Sequence, residues 1–342
     1  MTAAALVQAA AAASPAEAAA DALRGGGFAV VLDDARAEPH GVLVLAAEHA
    51  NPATIGFMIL NGRGPLCLCL SESRWARLGL RSPAGERRRG TPLAPAGSIE
   101  ARTGITTGLS AQDYAHTMRV AADPRTGPSD LIQPGHVFAV SARDGGVVER
   151  AGAAEGATDL AGLAGHQGKA VGCAIIDDDG GVATDRSLRV FCARHDVPLV
   201  AVTELIAHRQ QNDRLLRRVE SIWLPTRFGA FTAVGYREAY TQREHLALVK
   251  GSVAGVHDVP LYVHAGSMLS DVFHAGGAAG GAELHRALSA IERRGIGIVV
   301  YVAPERGATG AGAIPLPAAA TGAKIVADLA PASVVALDIE QG

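Results

Sequence analysis

The first side chains that could do chemistry stand in a short loop near the start of the chain. Asp33 and Asp34 end an apolar run, and Glu38 and His40 follow two residues apart. A carboxylate can bind a divalent cation, and an imidazole can act as a metal ligand or as a base near neutral pH. A histidine in a loop is more often simply solvated, and this alternative stays open for His40.

The cysteines are confined to one part of the chain, so the two parts differ in whether thiol chemistry is available. All four of them, Cys67, Cys69, Cys173 and Cys192, lie before residue 200. The last third of the chain therefore has no thiolate with which to build a zinc site. So few thiols in a chain of 342 residues suit a reducing compartment, and we expect a cytoplasmic protein.

Length and charge restrict the class of protein further. A chain of 342 residues predicts two domains, each large enough to bury its own core. The net charge of −3 argues against a nucleic-acid partner, since such domains usually carry a basic excess. No apolar run reaches the ~18 residues that a membrane span needs, and no basic segment precedes Arg24, so we expect neither a membrane anchor nor a secretory signal.

The elements that must position these side chains alternate between short apolar runs and amphipathic segments. Ser14-Pro15-Ala16-Glu17 is a capping box that predicts a helix ending at the glycines 25–27. Short strands and helices mix through the first 200 residues, which favours an α/β or α+β domain. The charged segment 203–218 is expected to be a connecting helix, and segments 81–95 and 308–322 are expected to be loops.

Four ordered segments within residues 15–209 share the pattern of one enzyme family. They are Phe28-Ala-Val-Val-Leu-Asp-Asp34, Gly104-Ile-Thr-Thr-Gly-Leu-Ser-Ala111, Ala122-Asp-Pro124 and Pro134-Gly-His-Val-Phe138. Together they resemble 3,4-dihydroxy-2-butanone-4-phosphate synthase. That family converts ribulose 5-phosphate into dihydroxybutanone phosphate and formate with Mg²⁺.

A second pattern begins at Leu224-Pro-Thr-Arg-Phe-Gly-Ala-Phe231 and continues at Glu244-His-Leu-Ala-Leu-Val-Lys-Gly251 and Asp271-Val-Phe273. It resembles GTP cyclohydrolase II. The resemblance implies an α+β chain: a synthase-like α/β domain over residues 1–212, then a truncated cyclohydrolase-like α/β domain over residues 213–342. This is the order of the bifunctional fusion of riboflavin biosynthesis.

The resemblance also marks losses in the first domain. The family's Arg-Glu-Asn-Glu-Gly-Asp loop reads Ala37-Glu38-Pro39-His40-Gly41-Val42 here, so only the metal-binding carboxylate of Glu38 remains. The family's second metal ligand, a histidine, is Ala153, and a phosphate-binding threonine and a later glutamate are Ala154 and Ala174. One carboxylate is a poor Mg²⁺ site. We therefore expect at most weak Mg²⁺ binding and no parental reaction.

Other positions of the synthase pocket are intact. The resemblance implies that Glu38, Cys67 and His136 belong to a catalytic set. His40 is added to this set because its imidazole could serve as a ligand or a base. The resemblance also implies a set that binds a substrate phosphate: Thr106, Thr107, Arg150 and Glu155. Arginine suits phosphate because its guanidinium donates two parallel hydrogen bonds. The alternative is that these residues serve packing only, above all Cys67, since a buried free cysteine behaves as a small hydrophobe.

The cyclohydrolase pattern has lost its zinc ligands. Ser267, Ala278 and Gly280 stand where the family has three cysteines, so we expect neither zinc nor GTP ring opening. Four histidines in this part fit no ligand spacing and are interpreted as scattered: His257, His264, His274 and His285.

Two hypotheses remain. In the first, the synthase-like domain is a repurposed enzyme, lyase-like or isomerase-like, that acts on a small phosphorylated metabolite. In the second, the chain is a non-catalytic scaffold or regulator, possibly of flavin biosynthesis. Because members of the synthase family pair through this domain, a homodimer is expected under either hypothesis.

Overall fold

The chain forms two mixed β-sheets, one in each half, and α-helices pack against both of them. The computed structural model describes residues 14–81, 93, 95–273, 280–304 and 316–337. The chain divides into the units Met1–Arg209 and Gln210–Gly342. The sequence predicts a division after residue 212, and the two divisions differ only by the end of one helix. The expected order of two α/β units is confirmed.

The first unit contains seven strands and seven α-helices among the described residues. In chain order these are α1 Pro15–Arg24, β1 Ala29–Asp33, β2 His40–Ala46, α2 Pro52–Gly62, β3 Arg63–Ser71, α3 Glu72–Arg77, β4 Gly97–Ala101, α4 Ala111–Ala122, β5 Leu131–Ala142, α5 Ala153–Leu163, β6 Ala170–Ile175, α6 Asp185–His195, β7 Leu199–Ala201 and α7 Val202–Asn212. The sheet order is β4-β5-β3-β6-β2-β1-β7.

Helices cover both faces of this sheet. On one face, α2, α4 and α6 bury Met58, Met118 and Leu188 against alternate residues of the central strands. On the other face α5 lies close to β1, because a side chain at Gly156 would come within 2.8 Å of Val31 Cγ1. Burial on both faces explains why β1 and β2 read as continuous apolar runs rather than alternating ones.

The predicted start of α1 is confirmed. The Ser14 hydroxyl accepts a hydrogen bond from the Glu17 N–H at 3.2 Å, and the Glu17 carboxylate accepts one from the Ser14 N–H at 3.0 Å. The helix ends at Arg24, before the run of three glycines. Local sequence therefore sets where α1 begins and ends.

The second unit is a six-stranded sheet with a helix layer on each face. Its elements are β8 Leu216–Thr226, β9 Gly229–Glu238, β10 Glu244–Lys250, β11 Val259–Ala265, α8 Met268–Asp271, α9 Gly280–Arg294, β12 Gly297–Val302, α10 Ala318–Leu329 and β13 Val334–Ala336. The order is β13-β11-β12-β10-β9-β8. Ile291 of α9 and Ile325 of α10 lie in the cores on opposite faces.

Two local predictions were wrong. The helix expected over residues 203–218 ends at Asn212, and Leu216 begins β8, where it pairs with Glu238. Sheet pairing thus overrides a charged, helix-like pattern. The loop expected over residues 308–322 is partly helical, because α10 begins at Ala318. Most of the loop expected over residues 81–95 lies outside the described residues.

A buried charge cluster fastens two separate parts of the second unit. Glu238 accepts hydrogen bonds from Arg243 at 3.3 Å, from His245 at 3.1 Å and from the Leu316 N–H at 3.3 Å. Arg243 also donates to the backbone oxygen of Ala303. The cluster therefore joins β9 and β10 to the end of β12 and to the segment before α10.

We predict that Arg243→Met lowers the free energy of unfolding by roughly 3–5 kcal/mol, because it leaves Glu238 buried without its cation. Arg237→Met is the matched control on the same hairpin. The side chains of Arg237 and Glu244 are 35% and 66% exposed, against 8% and 3% for Arg243 and Glu238. The control should cost about 0–1 kcal/mol. Urea unfolding measures both variants, and equal losses would contradict the prediction.

Candidate functional site

A carboxyl group and an imidazole meet at the end of the first hairpin of the first unit. Asp33 ends β1, His40 begins β2, and the two residues are register partners. Asp33 is 1% exposed and His40 is 5% exposed. Asp33 Oδ2 lies 3.7 Å from His40 Nε2 and accepts a hydrogen bond from the Ala153 N–H at 3.2 Å. The pair therefore stands at the first residue of α5.

Burial shifts both groups of this pair toward their neutral forms. It raises the pKa of Asp33, although the charges of His40 and Arg36 and the Ala153 N–H act in the opposite direction. Burial also lowers the pKa of His40, against the effect of Asp33. The other ring nitrogen, Nδ1, donates to the backbone oxygen of Glu38 at 3.3 Å.

A pocket of about 550 Å³ opens beside this hairpin. Residues 36–40 line one side of it, and residues 182–185 line the other. Glu38 is exposed in the loop, whereas His40 forms the buried end of the lining. The pocket thus brings together two of the predicted catalytic residues, Glu38 and His40.

The sheet beside the pocket is apolar at two positions where the resemblance implies carboxylates. Val42 and Ala174 are register partners across β2 and β6, and both are buried. A side chain at Gly172 would meet Leu93 Cδ1 at 2.9 Å and Val42 Cγ1 at 3.1 Å. This face of the sheet therefore has no acidic group at either position.

Arg150 and Glu155 are bonded to each other. The Arg150 guanidinium donates to Glu155 Oε1, and it also donates to the backbone oxygen of Ser141 at 3.1 Å. Glu155 is buried in the first turn of α5 and accepts a further bond from the Arg143 N–H at 3.0 Å. These two predicted phosphate-binding residues form an internal ion pair.

The loop with Thr106 and Thr107 is organised by Asp113, which sequence reasoning did not single out. The Asp113 carboxylate accepts from the N–H and hydroxyl of Thr106, at 3.0 and 2.8 Å, and from the N–H groups of Thr107 and Gly108. These bonds, led by the Thr106 N–H, hold the pKa of Asp113 well below its usual range. Both threonines remain exposed. A carboxylate five to seven residues after Thr106-Thr107-Gly108 was the available sequence signal.

His136 lies far from Arg150 along β5. It pairs with Glu100 of β4 at 2.9 Å, whereas Arg150 bonds to Ser141. Ser141 follows His136 by five positions along β5, a span of about 17 Å at roughly 3.4 Å per residue. Within one chain, the structure does not bring His136 and Arg150 to the same end of the sheet.

Cys67 lies inside the sheet and has a buried side chain. Its strand β3 runs between β5 and β6, and the residue is fully buried. Burial raises the pKa of the Cys67 thiol to about 12. A thiol in this state is neither a nucleophile nor a base near neutral pH, so the environment favours the packing alternative.

In the second unit, the position of one lost zinc ligand belongs to a hydrogen-bonded cluster around Asp271. Asp271 accepts bonds from His264 Nε2 at 3.0 Å, the Ser267 N–H at 2.8 Å and the Tyr301 hydroxyl at 3.0 Å. Burial alone would raise the pKa of Asp271, but these donors hold it below its usual value. His264 is thus a buried, hydrogen-bonded residue, which is compatible with the interpretation of the four histidines as scattered surface or core residues. A side chain at Gly266 would collide with Tyr301.

Neither metal of the resembling families fits the residues present. Within the described ranges, no group of three or more His, Cys, Asp or Glu side chains could hold a metal ion. The imidazole that should join Glu38 as a Mg²⁺ ligand is Ala153, and no cysteine follows Cys192 to bind zinc. The donor sets for both metals are therefore incomplete.

Two family models match the two units. The model for 3,4-dihydroxy-2-butanone 4-phosphate synthase matches residues 17–208, and the model for GTP cyclohydrolase II matches residues 217–315. No helix in the described ranges is both long and apolar enough to cross a membrane. The fold and site thus define a two-unit protein of the synthase and cyclohydrolase type.

Curated relatives agree with these matches. The chain is 40% identical over 280 residues to the riboflavin biosynthesis protein RibBA of Salinispora arenicola (strain CNS-205), covering 81% of this chain and 66% of the relative. It is 40% identical over 286 residues to RibBA of Mycolicibacterium gilvum (strain PYR-GCK), covering 81% and 67%. The chain spans about two thirds of the length of these curated relatives.

Solved structures support the match to the synthase. RibBX, a two domain 3,4-dihydroxy-2-butanone 4-phosphate synthase from A. baumannii, is similar with a TM-score of 0.74 and 32% identity, covering 94% of this chain and 93% of that one. A 3,4-dihydroxy-2-butanone 4-phosphate synthase in complex with two magnesium ions has a TM-score of 0.53 and 30% identity, covering 57% and 96%. The chain therefore belongs to the bifunctional riboflavin-biosynthesis protein family.

We predict that Asp113→Asn destabilises the first unit near pH 7, because an amide cannot accept all the bonds that the carboxylate accepts. The folded pKa of Asp113 lies below its unfolded value of about 3.9, so the stabilisation is present above that pH and is lost as the pH falls. The stability difference between wild type and variant should therefore shrink from pH 6 to pH 3. Urea unfolding across this range measures the difference, and a constant gap would contradict the assignment.

We also predict that Cys67 resists alkylation by iodoacetamide in the folded protein at pH 8, because almost none of it is thiolate. Cys192, which is only partly buried on α6, should be modified faster. Mass spectrometry of tryptic peptides reports both sites, and unfolding in urea should make both react. Modification of Cys67 at the rate of a free thiol would show a reactive pocket cysteine instead.

Proposed function

We propose that this chain is a riboflavin-biosynthesis homologue that has lost both parental reactions and acts through ligand binding by its first unit. The observation that carries the proposal is the set of apolar residues in the synthase site. Val42, Ala153 and Ala174 replace a carboxylate, a metal-binding imidazole and a second carboxylate. Such groups act as a unit, so their joint loss removes far more than any one of them contributes.

The second unit supports the same proposal. Water attack on a guanine ring requires a zinc ion held by thiolates, and this unit has no cysteine. In place of one ligand, Ser267 belongs to the cluster around Asp271. A role in packing or in partner binding suits this unit better than catalysis.

Retained ligand binding is supported by the pocket and, separately, by the loop that carries Thr106 and Thr107. The pocket of about 550 Å³ is large enough for a small metabolite, and Arg36 supplies a positive charge on its wall. Thr106 and Thr107 are exposed residues on a loop fixed by Asp113, to which the Thr106 hydroxyl donates. The proposal favours a small phosphorylated metabolite as the ligand. It also places the protein in the cytoplasm.

Two further parts of the proposal concern partners and chemistry. Apolar side chains are exposed near His136: Leu109, Ile132 and Phe138. We take them as the surface of a homodimer formed through the first unit, in line with the resemblance.

The Asp33–His40 pair beside the pocket favours a repurposed lyase-like or isomerase-like activity as the second candidate function. A scaffold or regulator of flavin biosynthesis is the alternative if no small molecule binds.

The test combines calorimetry with an assay of formate. We expect ribulose 5-phosphate to bind with or without Mg²⁺, and no formate to be released from the same sample. A synthase that has the complete Arg-Glu-Asn-Glu-Gly-Asp loop is the positive control. Release of formate would overturn the proposal, since it would show that the parental reaction survives. Failure of every phosphorylated sugar to bind would favour the scaffold.

A further inference from the structure

Strand β8 forms a long open edge of the second sheet. It stands at the end of the strand order, and β9 is its only strand partner among the described residues. Residues 217–223 are all exposed. Because successive side chains of a strand point to opposite faces, both faces of β8 are uncovered as well as its outer edge. The unpaired N–H and C=O groups of such an edge are a template for another strand.

The open edge carries large apolar side chains. Val219, Ile222 and Trp223 are 47%, 49% and 70% exposed. Tryptophan is one of the residues most enriched where protein interfaces are tightest. Apolar side chains on an open strand edge therefore point to a partner that covers them.

The middle of β8 restricts which partner can pair with it. The register of β8 on β9 shifts between Arg218 and Glu220, whose partners are consecutive residues of β9. Val219 is therefore the extra residue of a β-bulge and has no partner residue on β9. A bulge and charged side chains keep unrelated strands away from an edge. A strand that pairs here must match the charges on both sides of Val219.

A second copy of β8 matches these charges. In an antiparallel pair of two β8 strands with Val219 on the two-fold axis, residue 218 of each copy faces residue 220 of the other. Arg218 then faces Glu220 twice, and Leu216 faces Ile222 twice. Opposite charges and apolar side chains are both stabilising when they face each other across a strand pair. The sequence of β8 is thus complementary to itself.

We propose that β8 pairs antiparallel with β8 of a second copy of this chain, with Val219 on the two-fold axis. The paired segment covers residues 216–222, so Pro225, which has no N–H to offer, lies outside it. Trp223 stands at the end of this segment, where the chain of the other copy covers its ring. This inference goes beyond the proposed function, since it concerns the second unit and requires no ligand.

The first test is a cross-link in the full chain. Val219→Cys places a thiol on the axis, directly opposite the same thiol of the other copy. Residues in this position have Cα atoms about 4.5–5.5 Å apart, and a disulfide spans that distance. Mild oxidation should therefore give a covalent dimer on a non-reducing gel. The wild type, in which Cys192 is only partly buried, gives the background.

Ile222→Cys is the matched control, because Ile222 and Val219 have nearly equal exposure. In the proposed pair the two copies of residue 222 lie six positions apart, about 20 Å at roughly 3.4 Å per residue. The dimer of this variant should form at least about tenfold more slowly, since its thiols are out of disulfide reach. Equal rates for the two variants would overturn the proposal.

The second test reverses the charges. Glu220→Arg or Arg218→Glu alone places like charges opposite each other at both positions, and each should weaken the association roughly tenfold. The double variant restores opposite charges, and so does an equimolar mixture of the two single variants. Both should therefore associate like the wild type. Charge reversal without this rescue would overturn the proposal.

Trp223 reports the association in solution. The chain has two tryptophans, and Trp75 is only 9% exposed, so quenching by acrylamide is dominated by Trp223. Quenching should fall as the concentration of the wild type rises, and it should stay high in both single variants. Contact between first units would not produce this difference. Quenching that is equal in all variants at every concentration would contradict pairing through β8.

Discussion

The buried carboxyl group of Asp33 is the point on which the arrangement of the first site depends. It ends β1, faces the imidazole that begins β2, and accepts the N–H of the first residue of α5. A polar group inside a low-dielectric environment must be paired, so its neighbours are strongly constrained. The imidazole of His40 keeps this corner polar, while Val42 and Ala174 make the adjacent part of the sheet apolar.

In the second unit a carboxylate organises the end of β11. Asp271 accepts donors from His264, Ser267 and Tyr301 and so holds α8 to the ends of β11 and β12. Gly266 allows this, because any larger side chain would occupy the space of the tyrosine ring. A fixed carboxylate with several donors can therefore organise the same backbone, although it cannot activate water as zinc does.

Much of the fold could be predicted because it is encoded in local patterns and long motifs. The capping box at Ser14 starts α1 as expected. The order of the motifs predicts both units and their family, and the two family models confirm this prediction. The failures have different physical causes. Residues 216–218 continue a helical charge pattern, yet they join β8 because Leu216 pairs with Glu238, a partner that lies far away in sequence. The role of Asp113 was missed although its donors in Thr106, Thr107 and Gly108 are nearby in sequence, because spacing alone does not show how a loop folds back onto the start of a helix.

The sequence by itself determined the family, the order of the two units and the loss of every parental metal ligand except Glu38, because these depend only on residue identity. Tertiary structure decided which retained residues meet. It paired Arg150 with Glu155, placed His136 at the other end of β5, and buried Cys67 inside the sheet. It also brought His40 to Asp33, since strand register and helix packing, not spacing along the chain, set the distances between side chains.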